Sequence, residues 1–417
     1  MTQGVTTIFT GNCGHGFTSL DSWSNFLQDN QFGINIGHFI PYGSLRKEVL
    51  GKENTEKYLR KDSIKRICKR IENEMEKGAW GLSTSFDSRP SCYAETSELV
   101  EYAKIIKKYN GKYITHIRNE SGVGIIASIN EAIQIGEESG SAIHLSQFRL
   151  YKPTMGVTSD KILELVYRAR KHGINITASQ NPYDSIAAPL NYYLIGNLLS
   201  NIEGMVDYDM LKEESALTTA VEKVLTVFSP ESILIIDHDL YAGKTIQEVA
   251  EITSKDPVEV TVKLCMEKDN TSAIVYGLDN TVMEELMNHE FVFTSSNGSL
   301  CIDGTKHHPR SFGTFPRKIR EYSLTKRLIG FNEVICSMTS KPAEFLNLRK
   351  RGKIEVEYYA DIVILNKNSI MDKLNYLVSN QYSQGIEYVL VNGKLVINKE
   401  NIQEKLHGEI LYYNAQA

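Results

Sequence analysis

Short apolar runs alternate with stretches of helical period along most of the chain. Seven runs rich in Val, Ile, Thr and aromatic residues read as strands, at 5–11, 33–39, 80–86, 113–119, 142–148, 174–180 and 291–298. Between them apolar residues recur every three to four positions. After Thr96, a residue suited to cap a helix, Leu99, Tyr102, Ala103 and Ile106 share one face, and Asn110-Gly111 closes the segment. Residues 125–139 and 161–173 repeat the pattern, the second ending at Gly173. Strand–helix alternation over this length predicts parallel βα units. Polar residues fall at the C-terminal ends of the strands: Cys13, His38, Ser83, Thr84, His116, Gln147 and Asn297. In a (β/α)8 barrel that end carries the chemistry. Seven strands are one short of closure, which leaves two sheet edges to be managed.

Two regions depart from the alternation. Residues 198–290 are less regular and read as helical material inserted before the last barrel strand, a candidate lid. Residues 346–417 turn to alternating runs around Asn392-Gly393, the signature of a small β unit with a tight hairpin. The expected organisation is therefore an incomplete barrel over 1–345, with the insertion at about 198–290, followed by a β-sandwich portion over 346–417.

Composition narrows the classes. Lys and Arg number 46 against 51 Asp and Glu, a net charge of −5 with no basic block, which argues against a nucleic-acid partner. No run of 18 apolar residues is present, so no membrane span is expected. The opening MTQGVTTIFTG lacks a basic region and a long apolar run, so no signal peptide is expected. Six scattered cysteines without a CxxC pair predict reduced thiols and a cytoplasmic setting.

Six blocks, in order, make the reading specific: GVTTIFTGNCG (4–14), GAWGLSTS (78–85), YITHIRNES (113–121), HPRSFGTFPR (308–317), MTSKPAEFLNLRKRGKI (338–354) and YYADIVIL (358–365). Together they resemble the D-aminoacylase (N-acyl-D-amino-acid deacylase) branch of the amidohydrolase superfamily. The resemblance implies a (β/α)8-type amidohydrolase barrel, here lacking its first strand, with a small C-terminal β unit that is part of a β-sandwich. It implies zinc as the cofactor and hydrolysis of the linear amide of a small-molecule N-acyl-D-amino acid. In that chemistry a zinc-bound hydroxide attacks the carbonyl and an aspartate at the last strand shuttles the proton.

The family's functional positions map unevenly onto this chain. Cys13 stands at the cysteine ligand position, and the plainer reading of it is a buried structural cysteine. His116 stands at a histidine ligand position, and the plainer reading is a histidine paired with Glu120. Gln147 stands where the family has a metal-binding histidine, and an amide oxygen replaces imidazole poorly at zinc. His144 lies three residues upstream, and strand parity places it on the opposite, helix-covered face. Asn297 stands at the catalytic aspartate position, and an amide is no base at neutral pH. Arg310 and Ser88 are the candidate substrate-binding residues. The family's H-x-H motif, which puts two imidazoles on one strand face, occurs nowhere in the sequence.

Two readings are open. By resemblance the chain is a D-aminoacylase-like hydrolase of amide C–N bonds, impaired as written because H-x-H, the third histidine and the aspartate are missing. The alternative is a non-catalytic homologue or fragment that binds a ligand or depends on a partner. That partner is a second copy or a complementing N-terminal fragment.

Overall fold

The computed structural model describes residues 1–51, 58–86, 90–204, 206–267, 271–298, 308–378, 380–399 and 401–413. The seven expected barrel strands all form. They are β1 (Thr7–Thr10), β2 (Asn35–His38) with its continuation β3 (Ile40–Pro41), β4 (Gly81–Ser85), β5 (Lys112–His116), β6 (Ala142–Ser146), β7 (Ile176–Gln180) and, after an insertion, Val292–Thr294. The insertion carries β8 (Ser185–Pro189), β9 (Ile233–Asp237) and β10 (Ser272–Tyr276), so Val292–Thr294 is β11. β1 pairs β2 in parallel, and β3-β4-β5-β6-β7-β11 form one parallel sheet. Backbone bonds at Phe39 to Thr10 (2.9 Å) and Trp80 to His38 (3.0 Å) join the two.

Among the described residues β1 and β11 do not pair with each other. The gap is covered. The Thr294 N–H donates to the Ser337 carbonyl (2.9 Å), and the Gln3 amide donates to the Ser311 carbonyl (2.8 Å). Met1 packs with Met283, Ile386 and Val389 in a cluster shared with the C-terminal sheet.

Side-chain alternation separates two cores. Leu82, Tyr113, Ile143, Leu145 and Ile176 pack outward against Leu99, Ile106, Ile129 and Val166 of the surrounding helices. Phe39, Ile114, Phe293 and Phe345 meet in a separate cluster inside the sheet. The helices follow the periodic segments: Thr96–Lys108, Gly122–Ser139 and Ser159–Lys171. Thr96 is the first helical residue rather than the cap. Glu95 holds the cap position, and the Thr96 hydroxyl donates to Glu131 instead (2.7 Å).

His144 corrects the expectation from strand parity. Its ring stacks on Phe293 (5.5 Å) and lies against Phe345, both inside the barrel, and it bonds Thr177 and Ser179 of β7 (2.9 Å each). It faces inward, because β6 ends at Ser146 and Gln147 turns to φ 56, which breaks the alternation that the parity count assumed. Burial pushes its pKa down to about 3, so the ring is a neutral hydrogen-bonded core group.

The inserted segment contains strands as well as helices. β8, β10 and β9 make an antiparallel sheet, packed by the helices Tyr192–Glu203, Glu214–Val227, Ile246–Thr253 and Pro257–Met266 around their own apolar core. At the end of the chain β12 (Ile362–Leu365), β13 (Ile386–Val391), β14 (Lys394–Asn398) and β15 (Asn401–Ile402) form an antiparallel sheet. Asn392 and Gly393 turn its central hairpin with φ 51 and 77, the twist-matched geometry their sequence predicts.

Candidate active site

β1 ends in a sharp turn. Gly11 takes φ 81, and a Cβ there would sit 2.0 Å from the Phe39 carbonyl oxygen. The turn delivers Cys13, itself at φ 54, to the C-terminal end of the barrel. Gln147 after β6 (φ 56) and Asn297 after β11 (φ 44) share this left-handed conformation. Such a backbone costs a residue other than glycine about 1–2 kcal/mol. The scaffold therefore keeps one backbone device at three site positions, including the two whose side chains depart from the family's chemistry.

Cys13 lies within electrostatic reach of His116, the last residue of β5. Ser85 at the end of β4 lies 3.2 Å from His116 Nδ1, and Glu120 Oε1 lies 3.3 Å from Nε2. Burial alone would keep this ring neutral. The Glu120 carboxylate and Cys13 outweigh it and hold His116 well above the ordinary histidine range. Glu120 is in turn gripped by Arg149, whose Nε and Nη2 lie 3.2 and 3.3 Å from its two oxygens. Burial pushes the Glu120 carboxyl up, and Arg149 and His116 together pull it below its usual range. Arg149 rests over the Tyr151 ring (5.1 Å), and its buried Nη1 has no hydrogen-bond partner among the described residues.

Arg310 opens the helix Arg310–Arg317. Its part-buried guanidinium lies within electrostatic reach of Arg149, Tyr151, Cys13 and Tyr183. Burial first and Arg149 second lower its pKa to about 10. No carboxylate pairs with it among the described residues. His308 fixes the start of that helix. Its Nδ1 accepts from the Arg310 N–H (3.1 Å), which leaves Nε2 to donate to Ser185 Oγ (3.2 Å). Burial, with Arg310 and Arg149 nearby, holds His308 neutral. Gly298 packs against Ser311, with 3.1 Å from its would-be Cβ to the Ser311 Cα, so the Asn297 segment abuts the Arg310 helix.

The expected residues are thus only partly assembled. Cys13 and His116 come within electrostatic reach of each other. Gln147 is buried close by, with its Oε1 accepting from Asn181 (3.4 Å). Asn297 makes no side-chain hydrogen bond among the described residues. Ser88 lies outside the described residues. Glu120, Arg149 and His308 are the additions. Arg149 is two residues beyond Gln147, and only the break in strand register turns it toward His116.

A catalytic zinc takes about three protein ligands plus water. Cys13 and His116 supply two. Glu120 is committed to Arg149, and Gln147 offers an amide. Among the described residues no group of three or more His, Cys, Asp or Glu is placed to hold a metal ion. The donors among the described residues do not make a complete zinc site.

Comparison with known proteins agrees with this architecture. The profile of the amidohydrolase family matches residues 208–397. The N-acyl-D-glutamate deacylase of Alcaligenes xylosoxydans xylosoxydans is 23% identical over 414 residues, covering 94% of this chain and 77% of that protein. The N-acyl-D-aspartate deacylase of the same organism is 23% identical over 440 residues, covering 99% and 80%. Among solved structures, the N-acyl-D-glutamate deacylase of Bordetella bronchiseptica, complexed with zinc and a phosphonate inhibitor, superposes with a TM-score of 0.82. It is 21% identical and is covered over 83% of its length by 99% of this chain. A D-aminoacylase structure superposes with a TM-score of 0.79 at 22% identity, with the same coverage. Ordered sequence blocks, the parallel barrel with its C-terminal sheet, and these similarities converge: residues 208–397 match the amidohydrolase family, and nearly the whole chain is similar in sequence and fold to deacylases of the D-aminoacylase type.

Proposed function

We propose that the chain recognises N-acyl amino acids at the cluster of Cys13, Arg149 and Arg310, as an amidohydrolase of the N-acyl-D-amino-acid deacylase type with impaired hydrolytic chemistry. One observation carries this reading: the Arg310 guanidinium faces the site with no carboxylate partner among the described residues. A substrate carboxylate matches its fork of donors, and the unpaired Arg149 Nη1 adds another. Neutral His308 holds the helix start, and Glu120 holds His116 beside Cys13.

Zinc is the metal the family brings, and Cys13 and His116 are the residues that remain to hold it. With Gln147 at a ligand position and Asn297 at the proton-shuttle position, the described residues supply neither a third ligand nor a base. The donor count favours a second reading, a non-catalytic binding protein or one completed by a partner. A second copy or an N-terminal fragment carrying histidines would be that partner. No described helix is long and apolar enough to cross a membrane, and the five described cysteines are free, which fits a cytoplasmic setting.

The test is zinc stoichiometry by elemental analysis after chelation and reloading, with hydrolysis and calorimetric binding of N-acetyl-D-glutamate and N-acetyl-D-aspartate. The expected result is binding of the ligand with little zinc and little turnover. Efficient zinc-dependent turnover would overturn the impairment. Failure to bind either compound would overturn the recognition itself.

A further inference from the structure

The other end of the barrel carries a second cavity, of about 960 Å³. Its wall is built from the turns that lead into β5, β6 and β7, from residues 347–349, and from residues 409–413. The last of these segments is laced beneath the barrel by backbone bonds. Ile36 donates to Glu409 (2.9 Å), Leu411 to Ile36 (2.9 Å) and Tyr413 to Gly78 (2.7 Å). Trp80 Nε1 donates to the Leu411 carbonyl (2.7 Å). This volume is within the range of sites for small ligands and cofactors, roughly 300–1,000 Å³.

The charges around it do not balance. Lys107, Lys112, Arg349 and Arg351 face Glu137 and Glu409 across the cavity. Arg351 is already committed to Asp361, with Glu409 at 3.6 Å. Lys112 is the informative group. It is only 6% exposed, its amine lies 5.3 Å from the centre of the Phe345 ring, and the Asn347 amide, turned so that its oxygen faces the amine, lies 3.2 Å away. No carboxylate pairs with it among the described residues. Burial, and then Lys107, lower its pKa to about 8.

Helix dipoles account for part of this charge but not for Lys112. The helices Thr96–Lys108 and Ser159–Lys171 end at this face, where their free carbonyls favour Lys107 and His172. Lys112 opens β5, on the same side of the strand as Ile114 of the interior cluster. A buried ammonium there is costly unless something negative meets it. The half-exposed Tyr359 and Tyr412 leave apolar wall for an organic body beside the charge.

We infer that this floor cavity is a binding site for a small multivalent anion, a phosphate ester or a polycarboxylate, with Lys112, Lys107 and Arg349 as its charge partners. The site is remote from Cys13 and independent of the amide-binding cluster. Because the anion favours the charged amine, its binding near pH 8 takes up a proton at Lys112.

The experiment is calorimetry of the full chain at pH 8 and low salt with pyrophosphate and with citrate, in two buffers of different ionisation enthalpy. At least one probe is expected to bind with Kd below about 1 mM, with proton uptake. Binding should weaken at least about tenfold in Lys112→Met, weaken in the exposed Arg349→Ala, and persist in Arg310→Met. Pyrophosphate alone would identify a phosphate ester, citrate alone a polycarboxylate, and both a site that reads charge only. The inference is overturned if neither probe binds, if binding survives both floor substitutions, or if it is lost in Arg310→Met. Should Lys112→Met fail to fold, Arg349→Ala and the proton uptake decide.

Discussion

His116 Nε2 lies 3.3 Å from Glu120 Oε1, and the same carboxylate is clamped by Arg149. The histidine that resembles a family metal ligand is therefore also a member of a buried ion network. The network orients the ring while occupying the carboxylate nearest to it. On the proposed reading, a site keeps its architecture in this way with a reduced metal-binding set.

Restoring the missing donor tests that reduction. Gln147→His places an imidazole at a left-handed turn that the backbone already provides, beside Cys13 and His116. Zinc content measured by elemental analysis should rise in the variant. Adding Asn297→Asp should raise hydrolysis of N-acetyl-D-glutamate above that of Gln147→His alone, since a general base contributes about 10²–10⁴-fold. Unchanged zinc content would show that donors other than Gln147 limit the site.

Arg310→Met removes the proposed carboxylate partner without opening a large hole. Binding of N-acyl amino acids should weaken by about ten- to a hundredfold, matching a charge-assisted hydrogen bond of about 1.5–3 kcal/mol. The urea midpoint should change little. A variant that binds normally would remove Arg310 from the recognition site.

A structural ion pair outside the site offers a control. Arg46 Nη1 lies 2.6 Å from Glu98 Oε1, both groups are buried, and the Tyr42 hydroxyl donates to the same oxygen (2.8 Å). Arg46→Met leaves a buried carboxylate unpaired and should cost about 3–5 kcal/mol, read from urea unfolding. Ligand binding by the folded fraction should persist.

Lys318 predicts a pH dependence. Its amine is buried at the start of the wide turn Lys318–Thr325 with no hydrogen-bond partner among the described residues. Burial, with Lys341 adding repulsion, lowers its pKa from 10.5 to about 7. The unfolded chain binds this proton more tightly than the folded one, so stability should rise with pH between about 7 and 10. The penalty is fully present below pH 7. Lys318→Met should flatten that slope and raise the urea midpoint at neutral pH. An unaltered slope would show that the amine is not the titrating group.

The sequence was sufficient for the barrel elements and for the family resemblance. All seven barrel strands were legible because period-2 and period-3.6 patterns are local, and Asn392-Gly393 announced its hairpin for the same reason. Cys13 and His116 were legible through the motifs that carry them. His144 was misplaced and Arg149 missed, because both depend on where β6 stops. A single left-handed residue, Gln147, reverses the facing of the residues after it, and nothing in the local pattern marks it. The strands of the insertion were hidden for a different reason. Short apolar runs such as 233–237 read equally as buried helix or strand until β10 pairs with them.

By itself the chain determined which segments become the barrel strands and their helices, the absence of an H-x-H pair from these 417 residues, and the amides at 147 and 297. Those are properties of single positions and short windows. The tertiary structure alone decided that Glu120 and Arg149 close around His116, that Arg310 comes within electrostatic reach of Cys13 across a span of 297 residues, and that Lys112 is left under Phe345 with no paired carboxylate among the described residues. Each is an electrostatic relation between groups far apart in sequence. Its sign and strength depend on burial and distance, which exist only once the barrel has formed.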